Sequence, residues 1–110
     1  MKKFEVIKNL DLGAVSKSEK SKEAKEIFKG ARRHIIEITL RNNEILAKHK
    51  APEPITVLCL AGSGTFRAGS DLEEEEKLEA GTLLTLEAGV EHEVRAEPEL
   101  RLLVTKFKEV

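Results

Sequence analysis

The sequence predicts an all-β fold, a small antiparallel sandwich or barrel. Three observations point there. Glycines fall about every ten to twenty residues, at Gly13, Gly30, Gly62, Gly64, Gly69, Gly81 and Gly89, and short β-branched or leucine-rich runs lie between them. Residues 33–40 carry an apolar stripe at period two, His34, Ile36, Ile38 and Leu40, with Ile35, Glu37 and Thr39 facing the other way. No segment pairs good helix formers with an apolar face wide enough to anchor a long helix.

The elements follow in order. Residues 1–23 read as an N-terminal arm and a solvated loop, and 24–107 as the barrel core of a single domain spanning 1–110. Ser18 to Glu26 holds good helix formers, and Ala24, Ile27 and Phe28 fall at helical spacing, but the patch is small. Ala24 to Phe28 is therefore expected as a strand that turns at Gly30 into Arg33–Leu40. Arg41-Asn42-Asn43-Glu44 is a turn. Ile55 to Leu60 is apolar on both faces, as a central strand is. Ala61-Gly62-Ser63-Gly64 reads as a strand-to-strand turn. It superficially resembles a nucleophile or phosphate loop, but no helix follows to present its N-terminus. Thr65-Phe66-Arg67 and Glu74–Leu78 form a hairpin around Gly69-Ser70-Asp71. The acidic run Glu73 to Glu76 suits an exposed edge strand, where like charge discourages edge-to-edge pairing. Leu83–Leu86, Glu93–Ala96 and Leu100–Phe107 supply three more strands. Pro98 lies between the last two, where it interrupts no ladder.

Composition narrows the function classes. The chain has 110 residues, 40% hydrophobic and 35% charged, with a formal net charge of −1. That length suits one core. The charge balance shows no basic footprint, so no nucleic-acid partner is expected. No apolar run approaches the roughly 20 residues of a membrane span. The start Met1-Lys2-Lys3-Phe4-Glu5 is charged where a signal peptide needs an apolar stretch, so no membrane partner and a cytoplasmic location are expected. Cys59 is the one cysteine, which agrees with a reducing compartment.

Two segments carry the chemistry. One runs from Leu46 through His49, Ala51-Pro52-Glu53-Pro54 and Ile55 to Gly62. The other runs from Leu78 through Gly81 and Gly89 to His92. Together they resemble the two motifs of the cupin superfamily. In the first motif, His-x-His is followed by a Glu and then a Gly. His49 and Gly62 match, while Ala51 and Ile55 occupy the second His and the Glu positions. In the second, Gly81, Gly89 and His92 match at the right spacing, and Glu87 and Ala96 stand at the Pro and Asn positions. Residues 51–57 are also similar to a His-x-Ala-Pro-Gly-Pro-Ile subgroup, with Glu53 in place of its Gly.

The resemblance implies a cupin-type jelly-roll β-barrel with a pocket inside it. It puts Ile55, Val57 and Cys59 inward and Leu58 and Leu60 on the other side. It also implies a homodimer through such outward apolar positions. The pocket would be lined by His49, His92, Ile55, Val57, Cys59, Ile36 and Ile38 and would take a small molecule. Metal-binding cupins use three His and one Glu, and here only His49 and His92 remain. Tight transition-metal sites need three or four protein ligands. His34, Glu53 and Cys59 are the residues that could complete the set. A strand-end imidazole, a solvated loop carboxylate and a small buried thiol are their plainer readings. A His base paired with a Tyr acid, as in sugar-isomerising cupins, is excluded because the chain has no Tyr.

The first expectation is a cupin that binds an unidentified small molecule, with a degenerate or absent metal site and its cofactor, if any, left open. The second is a metal-dependent dioxygenase or isomerase, with a divalent transition metal on His49, His92 and a third ligand. The third is a purely structural or assembly role, with the pocket filled by its own side chains.

Overall fold

A computed structural model describes residues 3–8 and 10–108. Met1 and Lys2 of the charged N-terminus, and the last two residues of the expected domain, lie outside them. Among the described residues seven strands follow the arm: β1 Lys22–Lys29, β2 Arg33–Leu40, β3 Ile45–His49, β4 Ile55–Ala68, β5 Glu74–Glu79, β6 Leu83–Leu86 and β7 His92–Phe107. All pairings are antiparallel.

Two long strands organise the molecule. β4 has 14 residues and β7 has 16, and each bends midway so that it serves two walls. In the first wall, the second half of β7 lies between β2 and the first half of β4, with β1 and β6 outside them. In the second wall, the first half of β7 lies between β3 and the second half of β4, with β5 outside. The inward rows face each other and make the core. Leu40, Ile55, Val57, Cys59, Leu100, Leu102 and Val104 come from the first wall, and Phe66, Leu78, Val94 and Ala96 from the second. The strands lie in one sheet, and β5 and β6 do not pair with each other.

The bend explains where the structure departs from the expected elements. Ile55–Leu60 and Thr65–Arg67 are one strand, not two strands joined by a turn. The expected turn is a pair of register shifts, between Cys59 and Ala61 and between Gly62 and Gly64. Such bulges add twist and let a strand change walls without breaking. Gly62 has φ +81°, and a Cβ there would strike the carbonyl oxygen of Glu99. A Cβ on Gly64 would strike the carbonyl of Arg95. Glycine is therefore needed where β4 and β7 cross most closely. Glu93–Ala96 and Leu100–Phe107 likewise merge into β7. Pro98 sits at its bend, between the ladder partners Ala96 and Leu100, and its carbonyl accepts a bond from Asn43 N–H at 2.8 Å.

β3 was not expected as a strand. Its sequence Ile-Leu-Ala-Lys-His has weak alternation, and its pairing with β7 is what holds it. The turn before it is tight, since Asn42 and Asn43 have φ of 57° and 59° and Glu44 N–H bonds Arg41 C=O at 3.1 Å. This is the left-handed conformation that Asn tolerates in primed hairpin turns. The acidic run lies as expected, since β5 ends the strand order and Glu74, Glu75 and Glu76 are exposed.

The segment Ser16–Glu23 is not simply a solvated loop. Strand β1 begins at Lys22, two residues before the expected start of the barrel core. Two buried arginines clasp the rest. Arg41 donates from Nε to Ser16 C=O at 2.8 Å and from Nη1 to Lys20 C=O at 2.9 Å, and it pairs with Glu23. That guanidinium holds the Glu23 carboxyl below the usual carboxylate range. Arg101 pairs with Asp11 at 3.0 Å and donates to Ser16 Oγ at 2.9 Å. The arm thus covers the outer face beside Leu60, whose carbonyl accepts from Gly13 N–H at 3.2 Å. No helix among the described residues is long and apolar enough to cross a membrane.

Candidate functional site

The two walls leave a cavity of about 170 Å³ between them. The strand register determines what lines its mouth. On the first wall, β7 places Lys106 beside Ile55, with Val104 beside Val57 and Ile36 one row deeper. On the second wall, β7 places His92 opposite His49 of β3, with Val94 beside Leu46 and Phe66 below. The loop Lys50–Pro54 forms a lip joining the walls. Its Ala51 carbonyl accepts from Gly89 N–H at 2.9 Å, and its Pro54 carbonyl accepts from Phe107 N–H at 3.0 Å. The Lys48–Glu91 ion pair at 3.2 Å ties the end of β3 to the residue before His92.

The two imidazoles lie with ring centroids 4.2 Å apart, tilted by 59°. His92 is buried at 4% exposure, whereas His49 is exposed. Phe66 stacks on His92 with centroids 5.7 Å apart. Each ring is oriented in the same way. His49 Nδ1 lies 2.8 Å from the carbonyl of Ala47, and His92 Nδ1 lies 2.9 Å from the carbonyl of Val90. A carbonyl only accepts, so both Nδ1 atoms carry hydrogen and donate. In the neutral rings, both Nε2 atoms then keep their lone pairs. Neither Nε2 has a hydrogen-bond partner among the described residues. Burial pushes the pKa of His92 down, and the nearby His49 adds to that, while the Val90 carbonyl opposes it. The buried ring therefore favours its neutral form, which can accept a proton or a hydrogen bond.

The structure brings together His49, His92, Ile55, Val57, Ile36 and Ile38 of the expected pocket residues. It separates three others. Cys59 does not line the cavity. It lies one row below Val57 on β4, packed in the core, with Sγ 3.6 Å from the Ala61 carbonyl. Burial raises its thiol pKa, so it is no ready thiolate ligand. His34 shares a row with Lys106, but its Nε2 lies 3.2 Å from Glu26 of edge strand β1 and outside the cavity lining. Glu53 sits on the lip and does not line the cavity. Sequence reasoning missed Lys106, Lys50 and Phe66, which do line it. For Lys106, alternation from Leu102 through Val104 continues to it, but only the partner strands show which way that row faces. For Lys50 and Phe66 no signal was available, because a loop and a strand beyond two bulges have no readable parity.

The donor set does not fit the metal centre implied by the resemblance. Among the described residues, no group of three or more His, Cys, Asp or Glu side chains is placed to hold a metal ion. Ala51 and Ile55 supply alkyl groups where donors would stand, and Lys50 and Lys106 are cations lining the same cavity. Two imidazoles alone leave most of a metal's coordination shell to water.

Two bent strands shared by facing walls, with a cavity between the walls, make this a cupin barrel of jelly-roll type. Solved structures bear this out. A cupin superfamily protein from Desulfitobacterium hafniense matches with TM-score 0.77 at 13% identity, covering 86% of this chain and 84% of its own. An RmlC-like cupin from Desulfovibrio desulfuricans matches with TM-score 0.75 at 20% identity, covering 92% and 95%. A DMSP lyase from Ruegeria pomeroyi matches with TM-score 0.74 at 13% identity over 82% of this chain but only 48% of its own. At such identities the likeness establishes the fold. No protein-family model matches the sequence, and no curated protein is significantly similar to it.

Proposed function

We propose that this cupin binds a small organic molecule between its two walls without a tightly held metal. The observation that carries this reading is the imidazole pair. Both Nε2 atoms are unpartnered among the described residues, and both rings line a cavity whose other walls are largely aliphatic. Ligand sites are typically apolar with a few convergent polar groups. Two fixed acceptors at the mouth would orient a ligand, and His92, held toward its neutral form, is suited to accept a proton. The cavity has volume left over, which does not favour a purely structural role.

Protein purified without an affinity tag should carry only substoichiometric Fe, Mn, Ni or Zn by elemental mass spectrometry. Stoichiometric metal that is lost in both His49→Ala and His92→Ala would overturn the metal-free reading. It would favour the metal-dependent enzyme instead, for which the adjacent free Nε2 atoms are the supporting observation.

The proposed assembly is a homodimer. Its support is the outward face of the first wall, where Leu58, Leu83 and Leu103 share a row and Leu83 is 63% exposed.

A further inference from the structure

We infer that the ligand is a small aliphatic carboxylate, with its charge at the lysine-bearing mouth and its hydrocarbon part among the branched side chains below. This rests on the small-molecule reading above and specifies the class of molecule.

The carrying observation is the sign of the charge around the cavity. The chain holds 20 Asp and Glu against 19 Lys and Arg, so a random sample of its ionisable residues would be about half acidic. Yet among the described residues the ionisable groups lining this cavity are Lys50, Lys106, His49 and His92, with no carboxylate. Lys106 is the informative one. It is half-buried, belongs to an inward row of β7, and has no ion-pair partner among the described residues. An inward-row lysine without a carboxylate partner offers its positive charge to whatever occupies the cavity, and that favours an anionic occupant. Acidic residues gather elsewhere. On the other side of Phe66, the gap between β5 and β6 is lined by Glu74, Glu75, Glu76 and Glu87. The molecule thus separates its charge, negative at the open edge of the barrel and positive at the cavity.

Size and wall chemistry narrow the anion. The cavity volume is about 170 Å³. An apolar cavity of about 150 Å³ accommodates a benzene-sized molecule, so the ligand's buried part has about six non-hydrogen atoms. Below the mouth, Ile36, Ile38, Val57, Leu102 and Val104 are aliphatic and offer no donor for a sugar or a nucleobase. One carboxylate on a short branched chain satisfies both halves. The protonated Nδ1 atoms are already engaged, so the neutral imidazoles contribute acceptors. A hydroxyl or α-ammonium donor on the ligand would meet them, whereas the carboxylate belongs with the lysines.

The test uses three probes of one shape: 3-methylbutanoate, 3-methylbutanamide and 3-methylbutylamine. Each is titrated into the full chain, with binding followed by amide shifts of Val94 and Val104. The carboxylate should bind at least about tenfold more tightly than the amide, and the amine not at all. Lys106→Met, which keeps the apolar stem, should weaken carboxylate binding by about tenfold and leave amide binding unchanged. Lys50→Met reports separately on the exposed member of the pair. Unchanged thermal melting shows that each variant is folded. Amide or amine binding as tight as the carboxylate, or carboxylate binding insensitive to both lysine variants, overturns the anion inference and leaves the small-molecule reading standing. Failure of all three probes to shift the cavity residues counts against both.

Discussion

His92 concentrates what single residues contribute here. It is the first residue of β7, it pairs across to His49, and its other neighbour in register is Ala68 of β4. A ring at that crossing is buried whether or not a ligand is present. Its pKa is lowered, so the unfolded chain takes up a proton on acidification before the folded protein does. Stability is therefore fully present above the unfolded-state pKa and is lost as pH falls through it toward the folded value. The nearby His49 reinforces this direction, and the Val90 carbonyl opposes it. Chemical denaturation at pH values between about 7.5 and 5 should show a steeper fall for the wild type than for His92→Gln. Equal slopes would contradict the assignment, since His34 and His49 remain in both proteins. The residue scale was also the most readable scale. His49 and His92 stood out by their place in the two motifs that resemble the cupin pattern, which also implied the inward parity of Ile55 and Val57. Lys106 needed the partner strand, because a lysine at a strand end looks the same facing in or out.

The elements show why long strands are hard to read. β4 and β7 carry interior glycines or a proline, which locally resemble turns. Only the cross-strand contact of Gly62 with Glu99, and of Gly64 with Arg95, shows that the glycines serve close approach. The arm shows the reverse case. Asp11, Ser16 and Glu23 look like solvated loop residues, yet Arg41 and Arg101 hold them from the outer face of the sheet. Arg101 sits in β7 with its side chain only 4% exposed, and Glu37 lies 3.9 Å away. Replacing it with Met removes the charge-assisted bonds to Asp11 and Ser16 and leaves Glu37 without its nearest cation. The expected cost is about 1–3 kcal/mol in equilibrium unfolding, and limited proteolysis should cut near residues 11–16 before the barrel opens. Arg101→Met protein with unchanged stability and an equally resistant arm would show that the clasp is incidental.

At the scale of the whole molecule, the shared strands create both faces at once. Inward rows close on the cavity, and the alternate residues of the same strands form the outer apolar row of Leu58, Leu83 and Leu103. Such a row on a solvated sheet is an exposed patch that an assembly would cover. Sedimentation equilibrium should give a dimer for the wild type and a shift to monomer for Leu83→Lys. A wild-type monomer at every concentration tested would remove the homodimer proposal. The cavity and this outer face lie on opposite sides of one wall, so Leu83→Lys is expected to leave carboxylate binding intact.

Local chemistry by itself determined the all-β class, the alternation of β2 and the acidic edge strand, and the motif resemblance added the two histidines and the inward parity at the start of β4. Alternation, turn residues and charge runs act over a few positions, so they are written where they act. Tertiary structure alone decided that the expected strand pieces join into two bent strands, that His34, Glu53 and Cys59 stay out of the cavity, and that Lys50 and Lys106 enter it. Those outcomes depend on which residues distant in the chain share a row once the walls face each other. The electrostatic character of an enclosed space belongs to that arrangement and to no single segment.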